Sequence, residues 1–307
     1  MAVVHFMSGS LKVWLDLGRV SNLPSVWTNV LAATLLASTG QNYTNWDWSF
    51  STTTLLPGAM LALSLMYLGG MLLNDVLDAD WDRRYQNPRP INQGRISQHL
   101  VQKAAIFCLA SAMALILGLA WLKAGPAHLW SNLAAVLFLL LVICGYNLWH
   151  KKFRHSVWLM GLCRFGVYLV AATLLATPDL QLLLAAAVLA GFIAGVTYLA
   201  QQEHLNQLHQ RWPVLLLFSP LLLALQLPQQ ALFWALLLFF SLWILWSTSH
   251  YLNADRLKVR ALIGLLLASI PLLDALVLAS IGQWQASLFC VVVFLLLPRF
   301  QLWVRAS

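Results

Sequence analysis

Charged residues are scarce in this sequence. Asp, Glu, Lys and Arg make up 9% of its 307 residues and 61% are hydrophobic, whereas a soluble domain carries roughly 25% charged residues. So few charges cannot cover the surface of a soluble domain of this length. The composition therefore excludes a soluble enzyme, a disordered chain and a nucleic-acid-binding domain. The net charge of +8 indicates basic cytoplasmic loops that face anionic lipid.

Cysteine is rare as well. The first 20 residues also lack an apolar core followed by a small-residue cleavage site, so no signal peptide is predicted. Residues 1–19 mix Trp14 with Lys12 and Asp16 and are predicted to form an interfacial segment before the first span. The four cysteines lack the spacing of a metal site or a disulfide framework, which predicts small buried side chains at Cys108, Cys144, Cys163 and Cys290.

Long apolar runs fill most of the chain. A run of about 20 apolar residues can cross a bilayer, and the seventh run, closed by Pro213 and Pro228, is short enough to be a half-span. The pattern predicts an all-α polytopic membrane protein with nine or ten transmembrane helices in a single domain, 1–307. The spans are predicted at 20–39, 54–74, 99–122, 128–147, 156–176, 180–201, 213–227, 229–250, 260–280 and 284–303.

The basic residues indicate an orientation. When successive loops are assigned alternately to the two faces, sixteen of the eighteen Lys and Arg residues fall on one side. Lys123 alone lies on the other side, and Arg164 lies inside the fifth span. Because cytoplasmic loops are enriched in Lys and Arg, the distribution favours ten spans with both termini in the cytoplasm.

Acidic residues cluster at the cytoplasmic end of the second span. On a helix, Asp75, Asp78, Asp82 and Asn74 share one face about 100° wide, while Asp80 points to the opposite side and is expected to be a solvated or salt-bridged acid. Three carboxylates on one face repel each other unless a cation lies between them. Mg²⁺ prefers oxygen ligands and often bridges carboxylates to phosphate oxygens.

An arginine-containing loop follows the acids. Prolines and a glycine make the loop stiff and turned, and Arg89 and Arg95 offer planar guanidinium groups suited to phosphate oxygens. The alternative is that both residues are plain cytoplasmic charges. Residues 75–98 are predicted to form a cytoplasmic site loop, and the acids and arginines together describe a Mg²⁺–diphosphate site at a membrane surface.

The pattern Asn-Asp-x-x-Asp-x-x-x-Asp, followed by Arg-Pro-Ile-x-x-Gly-Arg-Ile-Ser, resembles the first aspartate-rich motif of the UbiA superfamily of intramembrane prenyltransferases. The resemblance implies about nine helices around a central, lipid-open cavity in a protein of the bacterial inner membrane. It implies an isoprenyl diphosphate donor and a small acceptor, with no nucleic acid and no obligate protein partner. It further implies Mg²⁺ held by Asn74, Asp75, Asp78 and Asp82.

The resemblance extends to other positions. Arg19 would touch the diphosphate and Asn29 would face the polar cavity, unless they are a cytoplasmic charge and a helix-packing amide. Family members often carry a Tyr followed four residues later by a Lys. Here Tyr146 is followed at that spacing by His150, with Lys151 one residue later, and Tyr146 and Lys151 are predicted to be catalytic.

Two ionisable residues lie within predicted spans. Arg164 needs a carboxylate, a diphosphate or carbonyl groups as partners, so it is either a diphosphate-binding residue or part of a structural ion pair. Asp274 lies mid-span and is expected to make a helix-packing hydrogen bond.

The second half departs from the family. The family's second motif, Asp-x-x-x-Asp, is absent, and Glu203 is the only acid between Asp179 and Asp255. Glu203 is predicted to be catalytic in a cytoplasmic site loop at 202–212, and Tyr198 is predicted to bind substrate. The departure leaves one or two metals open. The Tyr-then-Glu pattern resembles a divergent UbiA-like branch associated with bacterial ebo gene clusters.

Three other functions remain open at this point. The same carbocation chemistry without an acceptor describes a UbiA-like terpene cyclase. A non-enzymatic transporter would place its site near the bilayer midplane, whereas these acids lie at the membrane surface. A non-catalytic lipid-binding scaffold would keep the donor site after losing the second motif.

Overall fold

A computed structural model describes residues 11–39, 55–85, 89–124, 126–151, 153–201, 212–226, 228–252 and 259–304. All regular structure in these ranges is helical, which confirms the predicted all-α class. A short helix α1 covers 11–17. The 3₁₀ helices are Val20–Asn22, Arg154–Ser156 and Trp212–Gln226, and the longer α-helices are α2 (Leu23–Thr39), α3 (Leu56–Arg84), α4 (Gln98–Ala124), α5 (Pro126–Trp149), α6 (Val157–Thr173), α7 (Leu180–Gln201), α8 (Ala231–Leu252), α9 (Val259–Ala268), α10 (Ile270–Ser280) and α11 (Trp284–Trp303).

Each predicted span coincides with a helix or a pair of helices. Seven helical segments in the described ranges are long and apolar enough to cross a membrane, and one of them joins α9 to α10 as Ala261–Ser280. The helices Val157–Thr173 and Trp212–Gln226 are shorter and apolar, and α2 has 17 residues. The predicted nine or ten helices are therefore consistent with the observed architecture of a multi-pass membrane protein.

Helix α3 is longer than its predicted apolar part. It begins at Leu56, with a proline in its first turn where no intrahelical amide bond is needed, and it continues past the predicted end at residue 74 to Arg84. The acids therefore lie on the last three turns of a helix. The first ten residues of the predicted site loop 75–98 are therefore helical, and the described part of the connection to α4 is residue 85 and residues 89–97.

Small residues let neighbouring helices approach closely. A Cβ on Gly69 of α3 would lie 2.7 Å from the Leu109 side chain of α4, and one on Gly166 of α6 would lie 3.0 Å from Leu139 of α5. Such positions are typical of helix interfaces in membranes, where packing replaces the hydrophobic effect between helices.

A small separate cluster holds α1 in place. Val13 and Leu17 of α1 pack with Leu72 and Val76 of α3 and with Val101 of α4. This contact fixes the turn that follows α1 beside the acidic end of α3.

Candidate active site

A cavity of about 320 Å³ opens among the helices. Most of its wall is apolar, with residues such as Leu139, Ile143 and Val196. Polar side chains lie along the rest of the wall, at Arg19, Asn22, Tyr67, Arg89, Tyr146, Asn147, Arg164 and Thr197. The cavity thus combines a mostly apolar wall with a smaller number of charged and hydrogen-bonding groups, the usual composition of a ligand site.

The acidic face of α3 borders this cavity's cationic residues. Asp75 and Asp82 are buried, with 4% and 6% of their surface exposed. Asp78 is half-buried. In contrast, the Asp80 side chain is 75% exposed and pairs with Arg83 at 3.3 Å. The helical period therefore separates the acids as expected, with Asp80 on the solvated side.

Basic residues from three parts of the chain surround the acidic face. Arg19 Nη2 lies 3.9 Å from Asp75 Oδ1, and Arg89 Nε lies 4.0 Å from Asp82 Oδ2. Lys151 Nζ lies 2.9 Å from Asp78 Oδ1 and 3.8 Å from Asp82 Oδ1. Sequence-distant cations and acids meet here, so the negative charge is largely balanced within the site.

Arg19 has an unusual backbone conformation at the point where its side chain reaches Asp75. Arg19 has φ 44° and ψ 48°, the left-handed conformation, and is the one described non-glycine residue with positive φ. Its carbonyl accepts a hydrogen bond from the Tyr67 hydroxyl at 3.3 Å, and its Nη1 donates to Met71 Sδ at 3.1 Å. Since such a conformation costs free energy for a side chain with a Cβ, α3 must hold it in place.

Two hydrogen-bonded side-chain amides lie next to the acidic residues, between α3 and α5. Asn74 Nδ2 donates to Asn147 Oδ1 at 2.9 Å, and Asn147 Nδ2 donates to the Gly70 carbonyl at 3.3 Å. Sequence reasoning missed Asn147, although an amide one residue after Tyr146 in an apolar helix was a usable signal. The pair ties α5 to α3 and fixes the orientation of the Asn74 amide.

The end of α5 brings two neighbouring residues to one carboxylate. His150 Nε2 lies 3.3 Å from Asp78 Oδ2, while the His150 ring stacks on Tyr146 with centroids 5.1 Å apart. Lys151 reaches Asp78 from the turn that follows the helix. Tyr146, His150 and Lys151 therefore form one unit, and the one-residue offset of the lysine does not remove it from the acids.

The acidic face suits an oxygen-binding cation. Within the described residues no three His, Cys, Asp or Glu side chains meet as a preformed metal cluster. Even so, Asp75, Asp78 and Asp82 supply only oxygen donors on one face, and the ion pair of the buried Asp75 is longer than a hydrogen bond at 3.9 Å. These features fit an ion that prefers oxygen ligands, such as Mg²⁺.

The remaining predicted site residues are spread over several helices and connections. Arg95 is exposed on the connection between α3 and α4, and Tyr198 is buried near the end of α7.

Asn29 is fully buried, and its side-chain amide donates a hydrogen bond to the Asp274 carboxylate. This bond is the interhelical hydrogen bond that was expected of Asp274. Arg164 lines the cavity next to Tyr67. Glu203 and most of 202–212 lie outside the described residues.

Comparison with known proteins agrees with these observations. The apolar helices define a multi-pass membrane protein, and residues 25–255 match the UbiA prenyltransferase family. The chain therefore belongs to the UbiA prenyltransferase family.

Comparisons with a curated protein and with a solved structure both give the name digeranylgeranylglyceryl phosphate synthase. Digeranylgeranylglyceryl phosphate synthase of Sulfolobus acidocaldarius is 28% identical over 118 residues, which cover 38% of this chain and 39% of that protein. A solved structure from a study of the biosynthesis of digeranylgeranylglyceryl phosphate synthase in membranes aligns with a TM-score of 0.61 at 16% identity. That alignment covers 89% of this chain and 99% of the solved one, and it shows a common fold.

Proposed function

We propose that this protein is an intramembrane prenyltransferase that moves an isoprenyl group from a polyprenyl diphosphate to a small acceptor in a Mg²⁺-dependent reaction. The observation that carries the proposal is the acidic face of α3, surrounded by Arg19, Arg89 and Lys151, beside a cavity whose wall is mostly apolar. Family membership and the match to a prenyltransferase support it.

Different residues would bind different parts of the donor substrate. The diphosphate oxygens would bind to the guanidinium groups of Arg19 and Arg89. Both side chains line the cavity, and they lie 3.9 Å from Asp75 and 4.0 Å from Asp82, respectively. The prenyl tail would lie along the apolar wall. When the allylic C–O bond breaks, its electron pair stays on the diphosphate, and Lys151 is positioned to stabilise that charge. A nucleophilic atom of the acceptor then bonds to the allylic carbon and loses a proton.

The metal would be held by the first motif. Asn74, Asp75, Asp78 and Asp82 are the residues that would hold Mg²⁺, and the ion would neutralise negative charge on the leaving diphosphate. Because Lys151 pairs with both Asp78 and Asp82, it would move from these carboxylates toward the diphosphate when substrate binds. Tyr146 keeps the adjacent His150 ring in place by stacking.

A direct assay tests the proposal. We expect purified full-length protein to release diphosphate when it is given Mg²⁺, prenyl diphosphates of several chain lengths and a cell extract, and mass spectrometry should detect a new prenylated species. Chelation of the metal by EDTA is expected to stop release, and added Mg²⁺ to restore it. The absence of diphosphate release for every donor tested, with folded protein, would show that the chain is not such an enzyme.

The orientation is proposed from the charge distribution. The acidic face and both termini would lie in the cytoplasm of a bacterial cell, in its inner membrane. We expect a cysteine introduced as Thr177→Cys, exposed between α6 and α7, to react with a membrane-impermeant maleimide in spheroplasts. One introduced as Gln93→Cys should react only after permeabilisation, measured above the labelling of the parent protein. The reverse pattern would contradict the proposed orientation.

A further inference from the structure

Trp81 lies on α3 beside the acidic face. It follows Asp78 by three residues, so the two side chains are neighbours on the helix surface. Its surface is 42% exposed, which alone would be explained by an interfacial anchor, a common role of tryptophan at the ends of membrane helices. The contacts of this tryptophan indicate a second role.

The ammonium group of Lys151 lies over the Trp81 ring. Lys151 Nζ is 5.2 Å from the ring centre, within the distance at which a cation is attracted to the negative face of an indole. The same atom lies 2.9 Å from Asp78 Oδ1 and 3.8 Å from Asp82 Oδ1. Lys151 therefore has two charged partners and one neutral partner, and in the described ranges its ion pairs are with these two acids.

The orientation of the Trp81 ring is set within α3. The rings of Trp81 and Tyr85 are 4.4 Å apart at their centres and inclined by 32°. The Tyr85 amide donates to the Trp81 carbonyl at 3.1 Å, which places Tyr85 at the end of the same helix. The indole thus has a packing partner that does not depend on Lys151.

The acids that pair with Lys151 are also proposed ligands of Mg²⁺. A lysine ammonium group and a divalent cation repel each other and compete for the same carboxylate oxygens. Lys151 would therefore leave Asp78 and Asp82 when these residues bind the metal. The Trp81 ring offers no oxygen ligand, so it stays available to Lys151.

We propose that Trp81 is a positioning residue, which receives Lys151 when Asp78 and Asp82 bind the metal and keeps the ammonium group beside the leaving diphosphate. The proposal rests on the proposed function, in which Lys151 stabilises the charge on that diphosphate. Because the ring lowers the cost of displacing Lys151 from the acids, Trp81 also favours metal binding.

Metal binding tests this role without catalysis. We expect full-length protein in lipid nanodiscs to bind Mn²⁺, a paramagnetic substitute for Mg²⁺, in a titration followed by electron paramagnetic resonance. Lys151→Met removes the competing cation and is expected to tighten Mn²⁺ binding at least threefold. Trp81→Leu keeps the cation without its alternative position and is expected to weaken Mn²⁺ binding about 3- to 10-fold. In the Lys151→Met background, Trp81→Leu should have no effect, and this double-mutant cycle isolates the contact.

Further variants separate a cation–π contact from packing. Trp81→Phe keeps a weaker aromatic face and should fall between wild type and Trp81→Leu. Trp303→Leu makes the same change at the end of α11, on a residue that is 83% exposed, and should leave Mn²⁺ binding unchanged. If Trp81→Leu does not fold, fluorinated tryptophans incorporated at position 81 keep the size of the ring, and each added fluorine is expected to weaken Mn²⁺ binding further.

Three results would overturn the role of Trp81. The first is equal Mn²⁺ affinity in wild type and in the folded variants at position 81. The second is a loss of the same size with and without Lys151, which would leave Trp81 as an interfacial anchor. The third is Mn²⁺ binding that is absent from wild type or is not tightened by Lys151→Met.

Diphosphate release is measured on the same samples. Trp81→Leu is expected to lower kcat about 5- to 30-fold and to change the KM of the donor less than about threefold, because Lys151 acts on charge that develops as the C–O bond breaks. Coupling of Trp81 to Lys151 in Mn²⁺ binding without any diphosphate release would refute the transferase and support the contact. Diphosphate release without that coupling would refute the role of Trp81 alone.

Discussion

Asp78→Asn is expected to lower the rate of diphosphate release by on the order of 10²–10³-fold, with the protein still folded. The Asp78 carboxylate contacts Lys151 at 2.9 Å and His150 at 3.3 Å, and it shares the face of α3 that carries Asp75 and Asp82. An amide keeps the size of the side chain but loses the charge that would attract both Mg²⁺ and Lys151. The measurement is steady-state diphosphate release as a function of Mg²⁺ concentration.

The same helix supplies the matched control. Asp80→Asn makes the identical chemical change two residues away, on a side chain that is 75% exposed and paired with Arg83. Its activity is expected to stay within about twofold of wild type, since exposed ion pairs contribute little. Equal loss in the two variants would point to a general effect of negative charge on α3, and equal retention would contradict a metal-binding role for Asp78.

Gly161→Ala is expected to destabilise the protein by about 3 kcal/mol, the upper part of the range for overpacked sites. A Cβ at this position of α6 would lie 3.1 Å from the carbonyl carbon of Ala190 in α7, and its oxygen would be nearer still. The obstacle is backbone, so no rotation of a side chain can relieve it, and the two helices would have to separate. The measurements are thermal unfolding and the monodisperse fraction in detergent.

A second glycine tests whether this loss is specific. Gly118 also lies within a helix, α4, but a Cβ there would meet no atom within 4 Å. Gly118→Ala is expected to leave stability unchanged or to raise it by up to about 1 kcal/mol through helix propensity. If Gly161→Ala unfolds at the same temperature as Gly118→Ala, the close approach of α6 and α7 is not as tight as described.

Much of the fold follows from local sequence. A bilayer requires continuous apolar helices, so most of the spans were predictable from the apolar runs of the sequence, and their positions agree with the helices of the structure. The 100° rotation per residue likewise predicted that Asp75 and Asp82 share one face while Asp80 points to the opposite, solvated side. Both arguments use neighbouring residues, for which the sequence alone is sufficient.

The buried network required the tertiary structure. Asn29 and Asp274 are 245 residues apart, and nothing local to either shows that α2 and α10 meet. Asp274 was expected to make a packing bond without a named partner, and Arg164 was open between two roles. The lysine offset by one residue was ambiguous for a similar reason, since the turn after α5, not the helical period, carries Lys151 to Asp78.

The 3₁₀ form of Trp212–Gln226 affects whether the number of membrane crossings is counted as odd or even. As an α-helix, 15 residues would extend about 22 Å, short of the hydrocarbon thickness of about 30 Å. At about 2 Å per residue, a 3₁₀ helix of the same length extends about 30 Å. This stretch is therefore long enough for a full crossing, although a 20-residue hydropathy window would miss it. Omitting it would turn the ten predicted crossings into nine and move every later loop to the other side of the membrane.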